Sequence, residues 1–303
     1  MSFQIERRHD NTQLRASLRV STVDFATTAD LLQESAAVDR LPEVTYGRFG
    51  DRVGPFTTST QVRFGLLAFD SYEGQLEDFG FTAAVPAVGI PSFGFTDLDQ
   101  SAVPRADLRH EIAAPFDVGA LRFVPFVVGR VTAYGDSPAQ SSIARGLGGI
   151  GMRVGTAFAK VDDSVYSRLL DLDRMRHVIE PSVSGFFGVT NNGRENVFIY
   201  DEDVDGWDEL SAVSGTLRQR WQTYRGAPGR QRSVDVFTLT STINWFGREP
   251  EEPTGLADGG ITSADDFRGL YYDAIPEASL ARDNIDSDAL WRVSDSVALV
   301  GQA

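Results

Sequence analysis

Between Thr12 and Val23 the chain reads TQLRASLRVSTV, with Leu14, Ala16, Leu18 and Val20 alternating against Arg15, Ser17, Arg19 and Ser21. Successive side chains of a strand point to opposite faces, so this period of two makes one apolar and one cationic face. The alternation returns along the chain. Val62, Phe64, Leu66 and Ala68 stand against Gln61 and Arg63, and Ala106, Leu108, His110 and Ile112 against Asp107, Arg109 and Glu111. Phe237, Leu239, Ile243 and Trp245 interleave with Val236, Thr238, Thr240, Thr242 and Asn244. Turn-forming stretches separate the runs: FGDRVGP, YGDSP, TNNGREN and RGAPGR. The pattern predicts roughly ten to thirteen strands, many about ten residues long, against ~5–6 in ordinary soluble sheets. Only TTADLLQESAAVDR (Thr27–Arg40) reads as helical, with early Asp30 and Glu34 and a stop at Pro42. Neither a fixed repeat nor βαβ alternation is visible, which excludes a parallel α/β fold.

Ten residues at about 3.3 Å each, tilted, cross a bilayer core of ~25–30 Å. No stretch approaches the ~20 apolar residues of a membrane-spanning helix, and the opening MSFQIERRHDNTQ lacks the apolar region of a secretory signal. Neither observation bears on a membrane β-barrel, whose strands carry no such signal.

Charge is sorted by position. The 303 residues hold 28 Lys+Arg against 43 Asp+Glu, a formal charge of -15, which excludes the basic footprint of a nucleic-acid binder. Asp201, Glu202, Asp203, Asp205, Asp208 and Glu209 crowd together, and a second acidic tract runs from Glu249 to Asp283. Both lie between strand-like segments and read as long, solvated acidic loops near 191–212 and 247–270. Arg15, Arg19, Arg63, Arg109, Arg130, Arg218 and Arg220 instead sit inside strand-like runs. A polar row in such a run must face water. In a barrel that is the lumen, with the apolar row on lipid; in a soluble β-sandwich it is the outside. The alternation alone admits both.

Signals for bond chemistry are weak. There is no Cys, and His9, His110 and His177 form neither HExxH nor an HxH pair. DEDVDGWDE offers oxygen ligands but lacks the spacing of a calcium-binding loop, so it reads as a solvated acidic loop. ARGLGGIG (Ala144–Gly151) lacks the GK[ST] ending of a phosphate loop, and MRVGTAFAKV after it alternates as a strand. Its glycines suit a bend or close strand packing. His177 reads as a hydrogen-bonded side chain at a strand start. No catalytic residue, metal or cofactor is assigned, and the chain is read as a non-enzyme.

Five segments, in order, resemble the LPS-assembly outer-membrane protein (LptD) family. LPEVTYGRFGDRVG (Leu41–Gly54) is similar to that family's LP-E-(V/L) strand, and RADLRHEIAAPFDVGALRFVPFVVGRVTAYGD (Arg105–Asp136) to its strand–turn–strand with Pro and then R-x-x-x-Y. RMRHVIEPSVSGFFG (Arg174–Gly188) resembles its L-R-H-x-I-E-P stretch followed by an aromatic strand. YDEDVDGWDELSAVSGTLRQRWQTYRG (Tyr200–Gly226) resembles its acidic loop–strand unit, with Ser211 where Asn is usual, and DNIDSDALWRVSDSVAL (Asp283–Leu299) a late strand.

The resemblance implies an all-β fold: an antiparallel transmembrane β-barrel in the cell outer membrane, spanning 1–303 as a single segment. It implies delivery of lipopolysaccharide to the outer leaflet without bond chemistry. The implied partners are lipopolysaccharide, membrane lipid, a plug lipoprotein in the lumen and the periplasmic bridge proteins. The seven strand arginines form the expected lumen-facing polar row. Guanidinium forks suit lipid phosphates, although pairing with carboxylates across strands is the commoner use of any one arginine. The family's barrel needs about twice as many strands as this chain supplies, at the ~20 residues per strand and turn of membrane barrels. The expectation is therefore an incomplete part of a larger barrel, lacking the family's periplasmic jellyroll and linking cysteines. The alternatives are a general outer-membrane porin and a soluble all-β carbohydrate-binding or hydrolytic protein.

Overall fold

The computed structural model describes residues 2–20, 36–71, 102–136, 141–193, 202–205, 207–226, 229–247 and 283–303. The alternating segments become strands: β1 (Ser2–His9), β2 (Thr12–Arg19), β3 (Ala36–Val53), β4 (Phe56–Ser71), β5 (Ala102–Ala113), β6 (Phe116–Val118) and β7 (Leu121–Tyr134). They continue with β8 (Ile143–Gly155), β9 (Phe158–Ser167), β10 (Leu172–Thr190), β11 (Leu210–Arg225), β12 (Arg232–Phe246), β13 (Asn284–Arg292) and β14 (Ala298–Gln302). A single helical turn, α1 (Glu202–Asp205), precedes β11. All fourteen strands join one antiparallel sheet, in the order β1-β2-β3-β4-β5-β7-β8-β10-β11-β12-β13-β14. The other two extend their predecessors: β5 and β6 lie end to end along β7, and β8 and β9 along β10. The fold is thus all-β and antiparallel. Among the described residues β1 and β14 are unjoined edges, so the sheet does not close on itself.

The connections alternate in length. At one rim, β1–β2, β3–β4, β6–β7, β9–β10, β11–β12 and β13–β14 are joined by residues 10–11, 54–55, 119–120, 168–171, 226–231 and 293–297. The opposite rim carries 20–35, 72–101, 135–142, 191–209 and 247–283. The first hairpin turns on Asp10 at a φ of 49°, a left-handed conformation that Asp and Asn tolerate better than most residues.

The helix expected over Thr27–Arg40 is corrected over 36–40, which open β3; 27–35 lie outside the described residues. Ala36–Arg40 pair in register with Ser71–Leu67, so long-range backbone pairing overrides a local helical preference. MRVGTAFAKV breaks at residues 156–157, between β8 and β9. The glycine run does serve close packing. A Cβ on Gly149 would stand 2.5 Å from the Phe186 ring, and one on Gly151 would overlap the Phe126 ring.

The two faces of the sheet differ in what they expose. Val131, Ile150 and Phe187 are 52%, 60% and 54% exposed, and Leu14, Phe64, Leu108, Val213 and Ile243 share their exposed apolar face. Their strand neighbours Thr132 and Phe186, and Asp107 and Arg109 beside Leu108, are buried on the other face. The apolar core also lies on that covered face, where Phe126, Val128, Leu147, Phe186 and Leu210 pack around Trp207.

Candidate functional site

Strand register assembles an ionic cluster on the covered face. Successive pairings place Arg15, Thr45, Arg63, Asp107, Thr132 and Arg145 in one row across β2, β3, β4, β5, β7 and β8. A neighbouring row runs Glu43, Gly65, Arg105 and Tyr134. Gly65 lets these side chains meet: a Cβ there would stand 3.2 Å from Glu43 Cα, Cβ and Cγ. Across that gap Arg105 Nη2 donates to Glu43 Oε2 at 3.0 Å.

The segment ahead of β11 closes over these rows. Arg105 Nη1 donates to both oxygens of Asp205 at 3.0 Å, and the Tyr134 hydroxyl donates to Asp205 Oδ1 at 2.8 Å. Arg130 donates from Nε to Asp107 Oδ1 at 2.9 Å and from Nη2 to the Val204 carbonyl at 3.3 Å. Thr132 donates to the same Asp107 oxygen at 2.6 Å. Arg145 donates to the carbonyls of Asp205, at 2.7 Å, and of Trp207. Its guanidinium carbon lies 3.9 Å from the Trp207 ring centroid, and that of Arg130 lies 5.6 Å away. Arg105 is 2% exposed, and Arg145, Asp205 and Trp207 are fully buried.

This corrects the solvated-loop reading at Val204, Asp205 and Trp207. Residues 210–212 belong to β11, and Val204, Asp205 and Trp207 are buried against the sheet; 194–201, 206 and 248–282 lie outside the described residues. The cause is electrostatic. Desolvated guanidinium groups need a carboxylate or several carbonyls each, and this segment supplies both while Trp207 seals their planar faces.

The seven strand arginines separate. Arg109 and Arg130 are buried direct cross-strand partners, and Arg109 donates to Glu111 Oε2 at 2.8 Å. Arg63 is half-buried in the first row. Arg220 makes a two-pronged pair with Glu180 at 3.1 Å per contact. Arg15 lies 3.8 Å from Glu6, and Arg19 and Arg218 are exposed. Of the central residues, Arg105, Arg145, Glu43 and Trp207 were not singled out by the sequence reading, and Asp205 was read only as part of a solvated acidic run. Their signals were Arg105 continuing the Asp107–Arg109 row, and apolar Val204 and Trp207 set inside an acidic run.

The cluster is an ionic clasp: its carboxylates are engaged by guanidinium and hydroxyl donors. His110 bonds Thr60 at 2.8 Å, and His177 bonds Gln219 at 3.1 Å while stacking on Trp221. Among the described residues no group of three His, Asp or Glu stands ready for a metal ion. Compared with known proteins, the chain matches no family model and no curated protein.

Proposed function

We propose that this chain forms wall of a transmembrane β-barrel in the bacterial outer membrane and serves lipopolysaccharide assembly. One observation carries the membrane part: the sheet exposes its apolar face and covers its ionic face. Water rewards the opposite arrangement, whereas a barrel in lipid demands this one. A soluble sandwich that hid the apolar face in its core would leave the ionic face in water, and here that face is covered as well. Strand length agrees, since β3, β7, β10 and β11 hold 18, 14, 19 and 16 residues, enough to cross the ~25 Å apolar band of a barrel when tilted. Short connections at one rim and long ones at the other match the periplasmic and extracellular ends of such barrels.

Lipopolysaccharide as cargo, the plug lipoprotein and the bridge proteins rest on the five resembling segments. The covered face adds chemical fit, because Arg63 and Arg109 lie beside the clasp where a phosphorylated head group or a plug would pass. The clasp itself fills part of that face with buried ion pairs, an arrangement unsuited to an open diffusion pore.

The test places a photoreactive amino acid at Arg63, Arg109 or Val131 of the protein in its native envelope. Lipopolysaccharide adducts from Arg63 and Arg109 are expected. Their absence, together with steady ion conductance across planar bilayers, would support a porin instead.

A further inference from the structure

Near the short-turn rim of the exposed face, aromatic side chains from four strands line up. His177 pairs with Trp221, Trp221 with Phe237, and Phe237 with Trp291. Each keeps the parity of an exposed apolar residue on its own strand: Val183, Leu217, Ile243 and Ile285. Beside this row lies a cavity of about 240 Å³, lined by Leu172, Met175, Trp221, Phe237 and Trp291 and by one cation, Arg225.

Arg225 is 2% exposed. Its Nη2 donates to the carbonyls of Leu170, Arg292 and Val293 at 3.3, 2.9 and 3.2 Å, which fixes the guanidinium in the cavity wall. Nε and Nη1 are buried and have no hydrogen-bond acceptor among the described residues. Among the described residues, the carboxylate of Asp295 stands 3.8 Å from Nη1 and is engaged at 2.8 Å by Arg232. A buried guanidinium with two idle donors is costly, and an anion that reaches it relieves that cost.

We propose that this cavity binds one anionic glycerophospholipid from the surrounding membrane, its phosphate on Arg225 Nε and Nη1 and the start of an acyl chain along Trp221, Phe237 and Trp291. The inference rests on the membrane reading above. The apolar lining selects an amphiphile over a free anion, and tryptophans mark the depth at which head groups meet acyl chains. Trp245 lies eight residues along β12 from Phe237, about 26 Å at ~3.3 Å per residue and less across a tilted wall, close to the ~25 Å band.

The test reconstitutes the full chain in phosphatidylcholine nanodiscs and adds brominated phosphatidylglycerol or, separately, brominated phosphatidylcholine of the same chains. Tryptophan quenching is followed in a Trp245→Phe background. The anionic lipid should quench at a lower mole fraction than the zwitterionic one. Arg225→Gln should raise its half-quenching fraction by about tenfold or more, as for a lost charged hydrogen-bond pair. Asp295→Asn, which removes the competing carboxylate, should lower it. Inorganic phosphate should not reverse the quenching; reversal would mean that the site takes the free anion. Equal quenching by both lipids in all variants would overturn the lipid site while leaving the membrane reading intact. No quenching by either lipid, with Trp245 restored, would overturn both. Should Arg225→Gln fail to fold, the Asp295→Asn arm decides, and unchanged or weaker anionic selectivity there rejects the proposal.

Discussion

Asp205 and Arg105 are a hundred positions apart, yet each is the other's main compensation for leaving water. Removing one partner of a buried ionic pair strands the other, so Asp205→Ala should destabilise the folded chain by roughly 3–5 kcal/mol in denaturant titration. Arg105→Met and Glu43→Gln combined with it should recover part of that loss, because Met and the neutral amide leave none of the three charges to solvate. Equal losses in the single and combined variants would mean that the clasp is not coupled. Gly65→Val attacks the second pair of Arg105 sterically, displacing Glu43, and a cost of about 1–3 kcal/mol is expected by the same measurement. Little of this was legible in the sequence. The row of Asp107 and Arg109 showed in the alternation, but the partners of Arg105 and Arg145 are set by pairings 47 to 100 positions away. An acidic run reads as solvated until the arginines that face it are known.

At the scale of elements the sequence was far more readable, because a period of two is both local and sufficient for a strand. The segments read from alternation became β2, β4, β5 and β12, and the pattern also told which residues share a face. It failed where pairing outweighs propensity: AAVDR reads as helix and forms the start of β3 against β4. Nor could it tell lipid from water beyond the apolar face, which is the choice between barrel and sandwich. Ile150 separates the two at one position. It is exposed near the middle of β8, so in water Ile150→Arg should change stability by no more than ~0.5 kcal/mol. Facing the bilayer midplane it should cost ~2–4 kcal/mol, read as a lowered unfolding midpoint of the lipid-embedded protein. Val189→Arg near the long-connection rim, exposed on the same face one residue before β10 ends, should cost ~0–1 kcal/mol in the same lipid.

For the whole molecule, the ordering of strands is a meander in which each long strand pairs with its neighbours along the chain, so one sheet carries both faces from β1 to β14. Three carboxylates do not lie where water alone would put them: Glu43, Asp107 and Asp205 are buried under arginines, and apolar side chains stand outside. The absence of cysteine from the chain makes that inversion directly measurable. Single cysteines at Val127, Val131, Ile150, Phe187 and Val213, and at Val128 and Thr132 between them, can each carry an environment-sensitive fluorophore in the protein reconstituted in vesicles. Spin-labelled lipid should quench at the first five positions and not at Val128 and Thr132, alternating with the strand. Labels at Val131 and Ile150 that respond to aqueous quenchers and ignore the lipid would contradict that inversion.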